Sequence, residues 1–219
     1  MPPAQGEACA TEQRRHVRAT LDGSGTLPAV PFDLIDTRLD GPLLLQPKAF
    51  GDDRGFFVET YRRSDLMAIG IQEEMVQDNH SRSSRGVLRG LHFTVGRGAG
   101  KLVRCARGHV YDVLVDLRRG SPTYGQWEGY DLTDENLRIL YSPPGFAHGF
   151  CVVSELADVV YKLDAYYDPK TEREIAYNDP ALGIEWPVPD AELQVSQRDV
   201  DAPALADVAA GLPFAVPRA

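Results

Sequence analysis

Cysteine is scarce in this sequence, where Cys9, Cys105 and Cys151 stand far apart and follow no paired spacing. Scattered thiols of this kind form neither a disulfide framework nor a zinc-binding motif, so they indicate a reducing, cytoplasmic compartment. Apolar runs are also short, and none approaches the ~20 residues of a membrane span. The N-terminus carries charges and glycine where a secretory signal needs an apolar stretch, so we expect neither a membrane segment nor export.

Positive charge is in deficit as well. The 23 Lys and Arg residues against 32 Asp and Glu residues give a net charge of -9. This balance argues against a protein that coats nucleic acid or an anionic membrane, so an anionic ligand must bind in a local basic pocket.

Clustered metal ligands are missing too. The five histidines are far apart, and no pair one residue apart is followed by a carboxylate, as a metal site in a β-barrel would need: His16, His80, His92, His109 and His148. We therefore predict a protein without a metal or another cofactor.

Glycine and proline, in contrast, are abundant, with Gly 20 and Pro 16, so turns must be frequent and long helices few. Short β-like runs recur between the turn signals and predict an all-β sandwich or barrel. Two short helices are expected near Ser64–Ala68 and Leu205–Ala210. The predicted strands are Leu43–Leu45, Gly55–Tyr61, Gly86–Thr94, Lys101–Ala106, His109–Leu117, Gln126–Leu132, Leu137–Tyr141, Gly149–Val153 and Val159–Tyr167.

Domain organisation follows from the change in composition along the chain. Residues 1–38 are rich in Ala, Gly, Pro, Thr and Arg and show no sustained apolar period, which predicts a mobile N-terminal arm. Residues 39–219 are expected to form one domain with a C-terminal segment. Within it, the alternation in His109–Leu117 makes one face core, while Asp112 and Asp116 interrupt the other.

Polar side chains are dense between residues 77 and 93, a segment that runs directly into a strand pattern. A period of two places Arg89 and His92 on opposite faces, so one ligand can meet both only if the strand bulges, which Gly90 permits. An exposed loop followed by an edge strand is the alternative. Alternatives also stay open for Lys101 as a solvated edge charge, and for Tyr161 and His148 as packing residues.

Six strings in this order resemble dTDP-4-dehydrorhamnose 3,5-epimerases and their relatives in deoxysugar biosynthesis: Phe50–Glu59, Gln77–Ser81, Arg89–Phe93, Gly100–Val103, Gly145–Phe150 and Tyr161 with Tyr166 and Tyr167. The resemblance runs from about Gly41 to about Leu205. It implies a cupin-type jelly roll (double-stranded β-helix) without a metal. It also implies epimerisation of a dTDP-linked 4-keto-6-deoxyhexose at C3, C5 or both.

The resemblance also implies roles for single residues. His92 matches the catalytic base, Asp199 its orienting carboxylate, Lys101 the cation on the enolate oxygen, and Tyr161 the acid on the opposite face. Residues matching the substrate pocket are Phe50, Arg54, Glu59, Gln77, Asn79, Arg89, His148 and Tyr167. The family usually forms homodimers in which Arg54 and Glu59 come from the neighbouring subunit.

Two departures from the family pattern bear on the substrate. The loop from Phe93 to Gly100 is rich in glycine and lacks the Gln that commonly follows the His-Phe pair, and the N-terminal arm is long. Family members in antibiotic pathways invert only C3 or only C5 with the same catalytic set. A 3,4-ketoisomerase, a non-catalytic nucleotide-sugar binding protein and a metal-dependent oxygenase stand as alternatives.

Overall fold

The computed structural model describes residues 32–216, and these form two facing sheets with a separate hairpin. The first sheet is antiparallel and contains, from edge to edge, β1 (Phe32–Ile35), β2 (Leu43–Pro47), β10 (Ile139–Ser142), β7 (Lys101–Arg107), β12 (Leu156–Leu163) and β5 (Gln77–Ser84). The second contains β13 (Glu172–Glu174), β6 (Val87–Thr94), β11 (Phe146–Val152), β8 (His109–Asp116) and β9 (Trp127–Thr133), with β14 (Gln194–Val195) parallel to β6. The hairpin consists of β3 (Ala49–Asp52) and β4 (Gly55–Val58).

Neighbouring strands in each sheet are mostly distant in the chain, as in β2, β10 and β7, which is the winding of a jelly roll. The predicted all-β jelly roll with a few short helices is therefore confirmed. Each of the nine predicted strands overlaps a strand of the structure. The sequence patterns missed β1, β3, β5, β13 and β14.

The start of the folded domain differs from the prediction. Strand β1 pairs with β2 along its length, and Phe32 is buried, so residues 32–38 belong to the fold and not to an arm. The rest of the predicted arm, residues 1–31, lies outside the described residues.

Apolar cores cover both faces of the second sheet. Residues from both sheets, among them Val103 and Phe150, form the core between the sheets, and Leu91 and Val113 belong to a second core on the outer face of the second sheet. Strand β8 lies between these cores, and Asp112 and Asp116 are as buried as the apolar residues beside them. Both faces of this strand are therefore buried, where the alternation predicted one.

Three short helices complete the described chain. Helix α1 (Arg63–Ala68) packs Leu66 against the outer face of the first sheet. Helix α2 (Gln197–Val200) is preceded by the N-cap residue Ser196, whose hydroxyl accepts a hydrogen bond from the Asp199 amide and so caps the first turn. Helix α3 (Leu205–Val208) continues into a 3-10 turn at Ala209–Gly211. None of the helices between residues 32 and 216 is long and apolar enough to cross a membrane.

Candidate active site

A bulge in β6 turns two polar side chains toward the space between the sheets. His92 is opposite His148 in β11, and Arg89 is opposite Phe150, so three steps on β6 match two steps on β11. Gly90 adopts φ +131, and a Cβ there would lie 2.5 Å from the Gly149 Cα. The bulge expected at Gly90 is therefore confirmed, and only glycine fits without a backbone shift.

His92 forms a close pair with the carboxylate that helix α2 supplies. Its Nε2 atom lies 2.6 Å from Asp199 Oδ1, and the side chain of Asp199 is almost fully buried. Burial opposes the ionisation of Asp199, but hydrogen bonds from His92 and Ser196 outweigh it and hold the pKa of this carboxyl below its usual range. A carboxylate on Nε2 fixes the proton there, which leaves Nδ1 as the basic nitrogen.

The facing wall is formed by the inner side of the first sheet. In β12, Leu163 is opposite Lys101 on one side and Gln77 on the other, and Tyr161 is opposite Val103 and Asn79. Directly opposed residues in an antiparallel sheet share a face. Because Tyr161 packs against the core between the sheets, its row and the Lys101 row point toward the sheet that carries His92.

A second histidine stands beside His92 on β11. His148 is buried, and its Nε2 atom lies 2.9 Å from Oδ2 of Asp112, which is fully buried. Burial lowers the pKa of His148, against the opposing charge of Asp112 and with the support of Lys101. Burial also lowers the pKa of Lys101, against the carboxylates of Glu172 and Asp112. His148, Lys101 and Asp112 are therefore close enough for their charges to influence one another.

A polar network lies beside this cavity, where β5 begins and β12 ends. Gln77 Oε1 accepts a hydrogen bond from the Tyr167 amide at 2.8 Å, and Gln77 Nε2 donates to Asn79 Oδ1 at 3.1 Å. The Tyr167 hydroxyl donates to Glu172 at 3.2 Å, and the Tyr167 ring is exposed. An exposed ring that is held at both ends is a suitable platform for stacking a base.

Arg89 stands on the other side of the bulge, toward the edge strand β5. Its guanidinium donates to Ser83 Oγ at 3.1 and 3.2 Å and stays exposed to solvent. Next along the same face of β5, the buried Ser81 hydroxyl has no hydrogen-bond partner among the described residues. An exposed guanidinium and a free hydroxyl suit an anionic or hydroxylated ligand.

Three of the predicted pocket residues lie on or beside the hairpin instead. The Phe50 ring is exposed under Lys48, and the Arg54 guanidinium pairs with Asp52 at 2.5 Å. Glu59 follows the hairpin and pairs with Arg62. Within the described part of one chain, these three residues thus have no contact that links them to His92 or Lys101.

Residues 32–216 contain no group of three or more His, Cys, Asp and Glu side chains arranged to hold a metal ion. The absence of a metal requirement stays a prediction.

The model of the dTDP-4-dehydrorhamnose 3,5-epimerase family matches residues 36–207, which is most of the chain. The chain belongs to this family. A dTDP-4-dehydrorhamnose 3,5-epimerase of Pseudomonas aeruginosa is 53% identical over 174 residues, covering 78% of this chain and 96% of that protein. A dTDP-4-dehydrorhamnose 3-epimerase of Streptomyces niveus is 44% identical over 171 residues, covering 77% of this chain and 82% of that protein.

A solved structure of a family member carries a ligand. The dTDP-6-deoxy-D-glucose-3,5-epimerase of Legionella pneumophila, in complex with dTDP-4-keto-L-rhamnose, is 44% identical and matches with a TM-score of 0.82. The match covers 85% of this chain and all of the Legionella chain. The family relation thus extends through the two sheets that carry the cavity.

The sequence analysis did not name several residues that the structure adds to the site. Arg198 joins Glu172 at 2.6 Å and Glu174 at 2.5 Å, which ties helix α2 to the edge strand β13 next to His92. These pairs link distant parts of the chain and leave no local pattern. Asp112 did leave a signal, because with Asp116 it interrupts one face of a largely apolar strand, but the sequence analysis did not assign it to the site.

Proposed function

We propose that this protein is a cofactor-independent epimerase that inverts C3 and C5 of a dTDP-linked 4-keto-6-deoxyhexose in deoxysugar biosynthesis. One observation carries the proposal: an imidazole with its own carboxylate, His92 with Asp199, faces the sheet that bears Lys101 and Tyr161. Membership in the epimerase family supports it. The 53% identity to a 3,5-epimerase favours inversion at both carbons over inversion at one.

The first step removes a hydrogen from the carbon next to the ketone. Nδ1 of His92 takes the proton, the electron pair of the C–H bond forms a double bond to C4, and the π pair of the carbonyl moves onto the C4 oxygen as a negative charge. Asp199 stabilises the imidazolium that forms, since its buried carboxylate stays ionised. Proton transfer by a positioned side chain is typically worth about 10²–10⁴-fold in rate.

The enolate then needs a cation and a proton. Lys101 lies on the wall opposite His92, where its ammonium group stabilises the charge on the C4 oxygen as that charge develops. Tyr161 gives its phenolic proton to the ring carbon from the face opposite His92, which inverts the carbon. Before the second inversion His92 releases its proton to solvent and the Tyr161 phenolate takes one up. The same pair then serves C3 and C5, which both flank the ketone.

The rest of the substrate is a nucleoside diphosphate. Arg89 supplies a guanidinium for the phosphates, and His148, neutral because burial lowers its pKa, donates or accepts a hydrogen bond without adding charge. Tyr167 stacks on the base, and Gln77 and Asn79 hold polar edges of the nucleotide and sugar.

We further propose a homodimer in which the hairpin of one subunit completes the pocket of the other. The hairpin exposes the rings of Phe50, Phe56 and Phe57, more than half of each being accessible. Exposed aromatic rings on a projecting hairpin are typical of a surface that another chain covers. Arg54 and Glu59 would then reach the phosphates and sugar of the neighbouring pocket.

The reaction is proposed to take place in the cytoplasm. The thiols of Cys105 and Cys151 are free and buried, in keeping with a reducing compartment.

Incubation of the purified protein with dTDP-4-keto-6-deoxyglucose in D₂O, followed by NMR, tests the proposed function. Deuterium at both C3 and C5 of an inverted 4-keto sugar is the expected result. A 3-keto product would indicate a ketoisomerase, and a bound but unlabelled sugar a non-catalytic binding protein; either would contradict the proposal.

Controls in the same experiment address the metal and the dimer. Treatment of the active protein with EDTA should leave the exchange rate unchanged, and metal analysis of the untreated protein should find no bound metal. Mixing inactive His92→Ala and inactive Arg54→Ala subunits should restore about a quarter to a half of the activity if the pocket is shared between subunits. The absence of any recovery would count against the exchanged hairpin.

A further inference from the structure

The loop between His92 and Lys101 is rich in glycine, so its own residues do not restrict it to one backbone conformation. It joins the end of β6 to Lys101, and residues 95–100 read Val-Gly-Arg-Gly-Ala-Gly. Gly96 and Gly98 have φ values of +82 and +81, which glycine adopts at little cost. Since Lys101 is the first residue of β7, the anchoring of this loop decides where its ammonium group stands.

Asp164 holds this loop with nearly all of its polar atoms. Its Oδ1 accepts the Gly100 amide at 2.8 Å, and its own amide donates to the Gly100 carbonyl at 3.2 Å. Its Oδ2 and its carbonyl oxygen accept from the Arg97 guanidinium at 3.1 and 2.5 Å. The Asp164 side chain is 1% exposed, so these bonds are shielded from water.

The place of Asp164 in the chain gives these bonds a consequence for catalysis. It directly follows Leu163, which is opposite Lys101 in the sheet, and Tyr161 precedes it on β12. The space around it is also closed, because a Cβ on Gly100 would lie 3.3 Å from both Asp164 Oδ2 and the Tyr141 hydroxyl. The Asp164 side chain therefore fixes the position of the Gly100 backbone, next to Lys101, relative to β12, which carries Tyr161.

We infer that Asp164 is the positioning residue for Lys101: its carboxylate, bonded to the Gly100 amide and to Arg97, fixes the ammonium group at the enolate oxygen. The inference rests on the proposed function, since it concerns the same reaction. A displacement of about 1 Å in a catalytic group can cost about 10²-fold in rate. The cation acts on charge that develops in the transition state, so its misplacement lowers kcat more than it raises KM.

A double-mutant cycle between Asp164 and Lys101 tests the inference. We expect Asp164→Ala to lower kcat about 10–100-fold and to change KM less than about threefold. In the Lys101→Met background the same substitution should cost less than about twofold, because the group it positions is gone. Asp164→Asn, which keeps an acceptor for the Gly100 amide, should restore kcat to within about fivefold of the parent protein.

Asp158, at the other end of β12, provides the matched control. It is also a buried carboxylate paired with an exposed arginine, Arg82, at 2.7 and 2.8 Å. It is opposite Arg107 in β7, whereas the end of β12 that precedes Asp164 is opposite Lys101. Asp158→Ala should leave kcat within about twofold of the parent. Equal losses in kcat for the two alanine variants, or an undiminished loss for Asp164→Ala beside Lys101→Met, would overturn the inference.

A measurement without substrate separates this inference from the proposed function. Amide hydrogen exchange, read by mass spectrometry, should accelerate at least tenfold in the segment 95–102 of Asp164→Ala and stay unchanged there in Asp158→Ala. Unchanged exchange in that segment of Asp164→Ala would overturn the positioning role even in an active enzyme. A parent protein that leaves the sugar unlabelled would instead overturn the proposed function.

Discussion

Two histidine–aspartate pairs stand side by side in the second sheet, and they differ in how deeply the imidazole is buried. His92 and His148 are opposite one another in neighbouring strands, and each holds an Asp oxygen with Nε2, at 2.6 and 2.9 Å. The His92 side chain is 24% exposed, whereas that of His148 is 8% exposed. The chemistry of the two pairs is the same, but their access to a ligand is not.

In the proposed mechanism this difference gives the two imidazoles different tasks. A base must present its free nitrogen to the substrate and then carry a positive charge, which the exposed edge of His92 and the ionised Asp199 permit. Burial lowers the pKa of His148, which favours its neutral form, and the proposed mechanism uses it as a hydrogen-bonding group. His92, the proposed base, thus differs from His148 in the exposure of its side chain, since both imidazoles have a carboxylate partner.

The largest expected difference between the two pairs is in the loss of activity when each imidazole is removed. We expect His92→Ala to lower the rate of deuterium exchange about 10³-fold, because it removes the base. His148→Ala should lower it about tenfold, mainly through a higher KM. Exchange is measured by NMR in D₂O, with binding of dTDP as a control for an intact pocket. Losses of equal size in kcat would contradict the division of tasks.

The two carboxylates should differ in the same direction. Asp199→Asn places an amide beside Nε2 of His92 and favours the wrong tautomer, so we expect a loss in kcat of about 10² or more. Asp112→Asn alters His148 in the same manner but should cost about tenfold or less. Thermal unfolding of both variants is the control for folding. A larger loss in kcat for Asp112→Asn would reverse the assignment.

A smaller effect concerns stability against pH. Because burial lowers the pKa of His148 while the unfolded chain has an ordinary value near 6.5, the unfolded state binds more protons as pH falls through about 6.5. Stability should therefore decrease toward pH 5.5, by at most about 1.4 kcal/mol per pH unit from this group. The titratable groups that face His148 are Asp112, Lys101 and His92, and all three are retained in His148→Gln.

Urea unfolding of the parent and of His148→Gln between pH 7.5 and 5.5 measures this effect. The variant should show the smaller loss of stability on acidification, since it lacks the titrating group. Most carboxyl groups titrate below this range, which isolates the histidine. Identical slopes for the two proteins would show that His148 titrates normally.

The fold could be predicted from local patterns where strands alternate or are apolar, as in β8, β11 and β12. Strand β5 escaped because Gln77–Ser84 is entirely polar, and its polar inner row faces the cavity instead of a core. Strand β1 could not be predicted, because its four residues are held in the sheet by pairing with β2 and carry no strand pattern of their own. A strand whose inner row is polar lacks the apolar alternation by which strands are recognised in a sequence.

For the site, the resemblance to the family named the side chains that we propose to be catalytic, and Gly90 permitted the bulge that brings Arg89 and His92 to one face. Contacts across long stretches of chain could not be predicted. Arg198 reaches Glu172 and Glu174 from a helix of four residues, and Asp164 holds a loop residue 64 positions earlier. Such contacts depend on the packing of the sheets and leave no period in the sequence.

The proposed mechanism places His92 and Tyr161 on opposite faces of the sugar, and Tyr161→Phe tests this arrangement. Without the phenolic proton donor, His92 should still remove a hydrogen and return deuterium from D₂O to the same face. The account predicts label at C3 and C5 with retained configuration, read by NMR of the recovered sugar. An inverted product formed by Tyr161→Phe at the parental rate would contradict it.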